Sequence, residues 1–303
     1  MAATVADVMV KENANLRLVE DYKNKKSDTY MKNILIFNDI SGLGNCSMSA
    51  NLPIFTKYGL YCMPIPTAVY SMQTGFDGFC VLPNSKADKF ARKMLALRAA
   101  DVVYVGFCHG TDTLLAVGNL LSDNMTKNAY KFVDPIMGDN GKLYPVFDER
   151  YVAEMKRVVR HADCISPNLT EACLLADVDY SQFVCSLDKD NVLARCNDVF
   201  GDFLDKVGCR SAVITGIECD GVIYNAVLER CNVTILGTNK VLGNYSGTGD
   251  VFSSVVAAKL SCGTSLAVAV KDAAEFVGMA LSATKCTDRR FGTEFCRVFD
   301  KLD

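Results

Sequence analysis

The stretch Ser246-Gly247-Thr248-Gly249-Asp250 constrains this chain most, because two glycines and an acid lead directly into an apolar helical pattern. Glycine adopts backbone angles that other residues avoid, and it leaves room for a ligand to approach. The first amides of a helix have no partners inside it and carry partial positive charge. The loop therefore predicts an anion site. Asp250 is interpreted either as a helix cap or as a base that accepts a proton from a hydroxyl attacking a phosphate.

Length and composition are those of a globular protein that binds neither nucleic acid nor membranes. The chain has 303 residues, of which 50% are hydrophobic and 22% are charged, and its net charge of -3 gives no basic surface for nucleic acid. No apolar run approaches the roughly 20 residues that span a membrane. The 14 cysteines form no C-x-x-C pair, so we expect buried, reduced thiols in a cytoplasmic protein.

Short apolar runs alternate with helical patterns along most of the chain. We predict strands at residues 34–37, 61–65, 102–105, 130–133, 164–165 and 212–215, one helix at 191–207 and closing helices at 249–260 and 265–285. Residues 67–79 are predicted to form either a loop or a small strand pair, and they are the candidate for a lid. This alternation indicates an α/β fold with a mainly parallel sheet and helices on both faces. Residues 31–303 are predicted to form a single domain, and residues 1–30 an N-terminal extension that is either a short helix or a flexible arm.

Polar residues follow the predicted strands, where the active sites of such sheets lie. In chain order they are Asp39, Ser41, Thr67, Gln73, Thr74, Asp134, Asn168, Glu171, Thr215 and Gly216. Three of the carboxylates that we expect at this edge, those of Asp134, Glu171 and Asp250, would repel one another without a cation. Mg²⁺ commonly bridges one or two carboxylates to substrate phosphates, so the pattern predicts phosphoryl transfer.

Several nucleotide-binding families are excluded or disfavoured by their motifs. The chain contains neither the P-loop string G-x-x-x-x-G-K-[ST] nor the H-R-D and D-F-G strings of protein kinases. Gly42-Leu43-Gly44 follows the first predicted strand, as in dinucleotide-binding folds. Ser47 occupies the third glycine position, however, and no acid ends the second strand, which disfavours a dehydrogenase.

The chain resembles the ribokinase-like superfamily, and within it the branch of pyridoxal kinases and hydroxymethylpyrimidine kinases. The resemblance covers about residues 32–285 and rests on three strings in order: Asp-Pro-Ile-Met-Gly-Asp at 134–139, Pro-Asn-Leu-Thr-Glu at 167–171 and Gly-Thr-Gly-Asp at 247–250. It implies a three-layer fold with a small lid, ATP and Mg²⁺ as cofactors, and a homodimer.

The resemblance also implies roles for individual residues. Asp250 corresponds to the base, and Gly247, Thr248 and Gly249 to the anion hole. The magnesium shell would comprise Asp134 and Glu171, assisted by Asn168. The nucleotide would contact Thr215, Gly216, Tyr144 and the segment 239–244, which includes Lys240 and Val241.

The substrate motifs point in two directions. Residues 71–76 read Ser-Met-Gln-Thr-Gly-Phe and are similar to a pyridoxal-kinase loop that reads S-N-H-T-G-Y, with Gln73 in place of the histidine. Residues 39–44 instead resemble the D-x-S-G-x-G of hydroxymethylpyrimidine kinases. We expect a small-molecule substrate held by Asp39, Ser41, Thr67, Gln73 and Thr74, and favour a B6 vitamer. Hydroxymethylpyrimidine, a sugar, and a nucleotide-binding regulator without activity remain alternatives.

Overall fold

The computed structural model describes residues 31–185, 187–230, 232–241, 243 and 245–302. Its strands are β1 (Asn33–Ser41), β2 (Tyr61–Tyr70), β3 (Val81–Pro83), β4 (Val102–Val105), β5 (Tyr130–Val133), β6 (Gly138–Asp139), β7 (Lys142–Leu143), β8 (Cys164–Ile165), β9 (Ser211–Cys219), β10 (Val222–Glu229) and β11 (Asn232–Asn239). Its α-helices are α1 (Met48–Lys57), α2 (Ala87–Leu95), α3 (Thr111–Leu121), α4 (Glu149–Val158), α5 (Leu169–Ala176), α6 (Tyr180–Cys185), α7 (Val192–Phe200), α8 (Phe203–Val207), α9 (Thr248–Ser261) and α10 (Leu266–Ala283). Short 3₁₀ turns cover Asn124–Thr126, Val159–His161, Arg289–Phe291 and Phe295–Lys301.

The central sheet has nine strands in the order β11-β10-β9-β8-β5-β4-β1-β2-β3. Pairing is parallel from β9 through β8, β5, β4 and β1 to β2. The edges are antiparallel, with β3 against β2 on one side and β10 and β11 beyond β9 on the other. The predicted α/β fold with a mainly parallel sheet is confirmed. The carboxyl ends of the parallel strands consequently lie along the same side of the sheet, which we call the carboxyl edge. Asp39 lies at this edge, just after the apolar run of β1.

Strand β1 shows how the sheet divides the core into two layers. Ile34 and Ile36 belong to the core that includes side chains of α1, α9 and α10. Leu35 and Phe37 point to the opposite face and join the core that includes side chains of α2, α3, α4 and α5. All four side chains are fully buried. Burial of one such side chain contributes about 1.5–3 kcal/mol, so both faces of the strand stabilise the three-layer arrangement.

Three predicted element boundaries are wrong. The second strand, predicted to end at residue 65, continues to Tyr70 and pairs with β3 through Ala68 and Val69, so the region 67–79 includes part of a strand pair, one of the two alternatives predicted for it. The predicted helix at 191–207 is two helices, and Gly201 and Asp202, both poor helix formers, separate them. The predicted strand at 212–215 continues to Cys219 as part of β9, with a register shift in its pairing with β10. Neither the β6–β7 hairpin nor α6 was predicted.

The remaining expectations concern chemistry and the chain's beginning. The cysteines that the structure describes are all free thiols, most of them buried. Among the described residues, no helix is long and apolar enough to cross a membrane. The extension predicted for residues 1–30 lies outside the described residues.

Candidate active site

The glycines of the loop before α9 differ in their surroundings. Gly247 caps the helix with φ of +79°, and a Cβ on it would lie 2.3 Å from the carbonyl oxygen of Asn45, so only glycine fits. Gly249 is exposed, and a Cβ on it would meet no atom within 4 Å. The first turn of α9, which begins at Thr248, therefore borders open space. Its unpaired amides can receive an anion there.

Asp250 is the third residue of α9 and the acidic residue of its first turn. Its Oδ1 accepts a hydrogen bond of 3.2 Å from Asn38 Nδ2 across the gap to β1. Burial raises the pKa of the Asp250 carboxyl, while hydrogen bonds from the Ser47 backbone N–H and from Asn38 lower it. A carboxylate with a raised pKa accepts protons more readily, which suits a general base.

Asn38 forms a rigid support under this carboxylate, a role that sequence reasoning missed. Its Nδ2 also donates to Asn51 Oδ1 at 2.7 Å. Its Oδ1 accepts from the backbone N–H groups of Asp39 at 3.0 Å and Phe107 at 2.9 Å. The side chain is fully buried, so each of these bonds would be costly to lose. An amide interrupting an apolar strand run was the available signal.

Asp39 lies beside Asp250 and is coupled to it through Ser47. Burial, and to a smaller extent the charge of Asp250, raises the pKa of Asp39 from 3.8 to about 6, whereas the hydroxyls of Ser47 and Ser41 lower it. Ser41 Oγ donates to Asp39 Oδ2 at 2.9 Å. Ser47 holds φ of +55° and ψ of -134°, a conformation that costs a non-glycine residue about 1–3 kcal/mol. This strained residue touches both acids.

Asp134 and Glu171 bring further negative charge to the same edge. Burial raises the pKa of Asp134 well above its usual value, and Glu171 and then Asp250 add to the effect. Burial also raises the pKa of Glu171 to about 8, although backbone amides, that of Met137 first, oppose it. Glu171 and Asn168 form a capping box at the start of α5. Glu171 thus has a structural role whether or not it also faces a metal ion.

The charge balance of these acids fits a cation. No salt bridge among the described residues involves Asp39, Asp134, Glu171 or Asp250. Within the described ranges there is also no group of three or more His, Cys, Asp or Glu side chains arranged to hold a metal ion. Mg²⁺ usually needs only one or two carboxylates and completes its shell with water and phosphate oxygens. The residues present fit an ion of that kind.

The predicted nucleotide residues lie along the next strands. Thr215 bridges to Asn168 near the register shift of β9, where its backbone N–H donates to Pro167 at 2.8 Å. Gly216 has φ of +71° and borders open space. Tyr144 is 38% exposed, and its backbone N–H donates to Met137. Val241 is half-buried beside Lys240, which is exposed and forms an ion pair with Glu218. Residues 242 and 244 of the predicted adenine segment are outside the described residues.

Some of the predicted substrate residues have polar groups that are already hydrogen-bonded within the protein, and one is exposed. Thr67 is fully buried, and its hydroxyl donates to Phe107 O at 2.6 Å. Both polar atoms of the Gln73 amide form hydrogen bonds with the backbone. Nε2 donates to Arg290 O at 3.1 Å, and Oε1 accepts from the backbone N–H of Gly75 at 2.8 Å. Thr74 is exposed on the same loop. Gln73 is therefore placed to brace the loop, whereas Thr74 is open to a ligand.

A tyrosine–histidine pair at this edge was also missed. Tyr70 ends β2, and its hydroxyl lies 2.6 Å from His109 Nδ1. Burial lowers the pKa of His109 and raises that of Tyr70, which favours a neutral imidazole hydrogen-bonded to a neutral phenol. The charge of Asp39 also raises the pKa of Tyr70, so this pair belongs to the Asp39 end of the site.

Comparisons with known proteins agree with this fold. A family model described as phosphomethylpyrimidine kinase matches residues 43–293. A candidate phosphomethylpyrimidine kinase from Bacteroides thetaiotaomicron superposes with a TM-score of 0.82 at 28% identity, covering 92% of this chain and 96% of that one. The same description also occurs for a crystal form with pyridoxal. The pyridoxal kinase of Lactobacillus plantarum gives a TM-score of 0.77 at 27% identity, covering 90% of this chain and 97% of that one.

Curated relatives are matched over part of their length. The bifunctional thiamine biosynthetic enzyme of Arabidopsis thaliana is 26% identical over 252 residues, which are 81% of this chain and 45% of the enzyme. The chain spans 36%, 45% and 59% of the length of the first three curated relatives that it matches.

Proposed function

The chain belongs to the phosphomethylpyrimidine kinase family, and we propose that it transfers a phosphoryl group from ATP to the hydroxymethyl arm of pyridoxal, pyridoxine or pyridoxamine. One observation carries the proposal. Asp250 is a buried carboxylate with a raised pKa that accepts a hydrogen bond from Asn38 and forms no described salt bridge, and it directly follows Gly249, which borders open space. A base next to an anion site is what a phosphoryl transfer to an alcohol requires.

The roles of the residues follow from their positions. Asp250 accepts the proton of the substrate hydroxyl, and Asn38 and Ser47 hold its carboxylate in place. The amides at Thr248 and Gly249 receive the transferred group, which becomes more negative as the reaction proceeds. Asp39 and Ser41 contact the polar groups of the substrate ring, with Thr74 above them.

Asp134 and Glu171 would hold Mg²⁺, which neutralises the phosphates when it is bound. Thr215, Gly216 and Tyr144 lie next to this acidic edge and would contact the phosphates, with Asn168 supporting them. Lys240 and Val241 would border the adenine. The cluster of acids supports this assignment of residues to Mg²⁺ and to the phosphates, because ATP could not approach these acids without a counter-ion.

The B6 assignment is supported by the pyridoxal-kinase relatives and by the structure with pyridoxal. Hydroxymethylpyrimidine is the second candidate, because the matching family model is described as phosphomethylpyrimidine kinase and residues 39–44 resemble the hydroxymethylpyrimidine-kinase branch. We also propose a homodimer and a cytoplasmic location, which rest on the resemblance and on the composition. Light scattering of the purified protein tests the dimer.

The deciding experiment is a substrate panel. The full chain is incubated with ATP, Mg²⁺ and each of the three vitamers, hydroxymethylpyrimidine or ribose, and the phosphorylated product is measured by mass spectrometry. We expect the highest kcat/KM with a B6 vitamer, and a kcat lower by about 10²–10⁴-fold in the Asp250→Asn variant. A preference for hydroxymethylpyrimidine or ribose would replace the B6 assignment. Nucleotide binding without any product would favour a regulator.

A further inference from the structure

Residues 288–293 near the end of the chain touch three loops of the site at once. We propose that this segment, the C-terminal clasp, positions the Gly247–Asp250 turn, the end of β1 that carries Asp39 and the following loop that carries Ser47. Gly292 of the clasp and Asn45 of that loop are the positioning residues. The inference rests on the proposed kinase function. It adds to that function a part of the chain that the signature motifs do not include.

The clasp binds first to the loop after β1. The Asn45 backbone N–H donates to Phe291 O at 2.9 Å, and Asn45 Nδ2 donates to Thr293 O at 3.1 Å. Asn45 and Gly292 form a parallel bridge. Gly292 is buried with φ of +80°, and a Cβ on it would lie 2.7 Å from Asn45 O. The clasp and this loop are therefore in direct backbone contact, without space for a methyl group.

Asn45 also contacts the turn that forms the anion site. The Cβ position of Gly247 lies 2.3 Å from Asn45 O, so Asn45 is held between two glycines. A second link runs from the Ser246 backbone N–H to Arg289 O at 3.1 Å. Two residues after Asn45 comes Ser47, whose hydrogen bonds lower the pKa of both Asp39 and Asp250. A shift of Asn45 would therefore move the base and the substrate carboxylate together.

The clasp also holds the substrate loop. Arg290 O accepts from Gln73 Nε2, and the guanidinium of Arg290 lies 4.6 Å from the ring centre of Phe76. Phe76 and Phe291 contact edge to face, with ring centres 5.3 Å apart. The same short segment thus fixes the loop that presents Thr74. Catalytic rates fall by about 10²-fold for a misplacement of about 1 Å, so such a support matters for turnover.

The test compares two glycine variants of the full chain. Gly292→Ala adds a methyl group that must displace Asn45. Gly59→Ala is the matched control, because Gly59 has φ of +72° but no atom lies within 4 Å of its Cβ position. Gly59 also precedes the amino end of β2, whereas the site lies at the carboxyl ends of the strands. Both variants carry the strain of alanine at a left-handed angle, and only one disturbs the clasp. Kinetics with ATP and pyridoxal are measured alongside hydrogen exchange of peptides covering 43–47 and 246–250.

We expect Gly292→Ala to lower kcat about tenfold or more and to speed exchange in both peptides, whereas Gly59→Ala leaves kcat within about twofold and exchange unchanged. A folded Gly292→Ala protein that matches the control in both readouts would overturn the proposal. If Gly292→Ala does not fold, Asn45→Ala is measured in its place, because this change removes only the side-chain hydrogen bond from Asn45 to Thr293 O. It should lower kcat and speed exchange at 246–250, and wild-type values would refute the clasp. Absence of product from the wild type would instead refute the proposed phosphorylation of pyridoxal, while the exchange comparison would still test the clasp.

Discussion

Replacing Asp39 by asparagine should stabilise the protein while impairing its proposed activity. The Asp39 carboxyl is 4% exposed, and its pKa rises from 3.8 to about 6 on folding because of burial and then Asp250. Asparagine has the same shape and no charge. The hydroxyls of Ser41 and Ser47 can rotate to bond an amide in place of a carboxylate. The variant therefore removes the cost of the buried charge and keeps the contacts.

The size of the effect follows from the two pKa values. The folded protein retains the Asp39 proton up to about pH 6, whereas the unfolded chain loses it near pH 3.8. The wild type consequently loses stability as pH rises through this window, and the loss is complete above it. A difference of about two pH units corresponds to about 3 kcal/mol. We expect Asp39→Asn to match the wild type near pH 4 and to exceed it by up to about 3 kcal/mol at pH 8.

The assay is urea unfolding of both proteins at intervals from pH 4 to pH 8, with circular dichroism as the measure of unfolding. Asp112→Asn serves as the control, because Asp112 is exposed and the change removes the same formal charge. Free energies of unfolding that run parallel for wild type and Asp39→Asn across this range would show that Asp39 carries no cost of buried charge in the folded protein. A variant less stable than the wild type at pH 8 would refute the reasoning outright.

Further substitutions test the other proposed roles. Asp250→Asn should lower kcat by about 10²–10⁴-fold with ATP affinity changed only a few-fold, and turnover within about threefold of wild type would make Asp250 a structural residue. Asp134→Ala should raise the Mg²⁺ concentration at half-maximal rate, and so should Glu171→Gln, which retains the side-chain shape; an unchanged Mg²⁺ dependence in both would remove them from the metal shell. Gln73→Ala should lower kcat/KM by a similar factor for pyridoxal and hydroxymethylpyrimidine, because its amide bonds only backbone; a selective loss on pyridoxal would show that it reads the ring.

The fold was predictable because its signals are local. Fully buried parallel strands are continuous apolar runs, and residues 34–37 and 102–105 are such runs. The prediction was wrong where tertiary pairing overrides composition. The polar stretch from residue 67 continues as strand because Ala68 and Tyr70 are buried and β3 pairs with β2 there. Pairing partners distant in the sequence leave no local pattern.

The site was predictable in its acids and less so in its supports. Asp39, Asp134 and Asp250 follow strands or open a helix, so the topology alone brings them to one edge. Asn38 acquires its role through Asn51, which lies on the following helix and has no motif of its own. The clasp depends on backbone contacts between segments about 250 residues apart, as between Asn45 N–H and Phe291 O, and such contacts have no signature in side-chain chemistry.

The buried acids do not all carry the same weight in the functional argument. Glu171 completes the capping box with Asn168, so helix α5 would need it in a protein without any activity. Asp250 accepts hydrogen bonds from Asn38 and the Ser47 backbone, forms no described salt bridge, and keeps a carboxylate whose pKa is raised by burial. A carboxylate of that kind destabilises the fold at neutral pH, and a neutral residue would serve packing better. Retaining Asp250 is explained by chemistry that needs its charge, so the case for catalysis depends on Asp250 more than on Glu171.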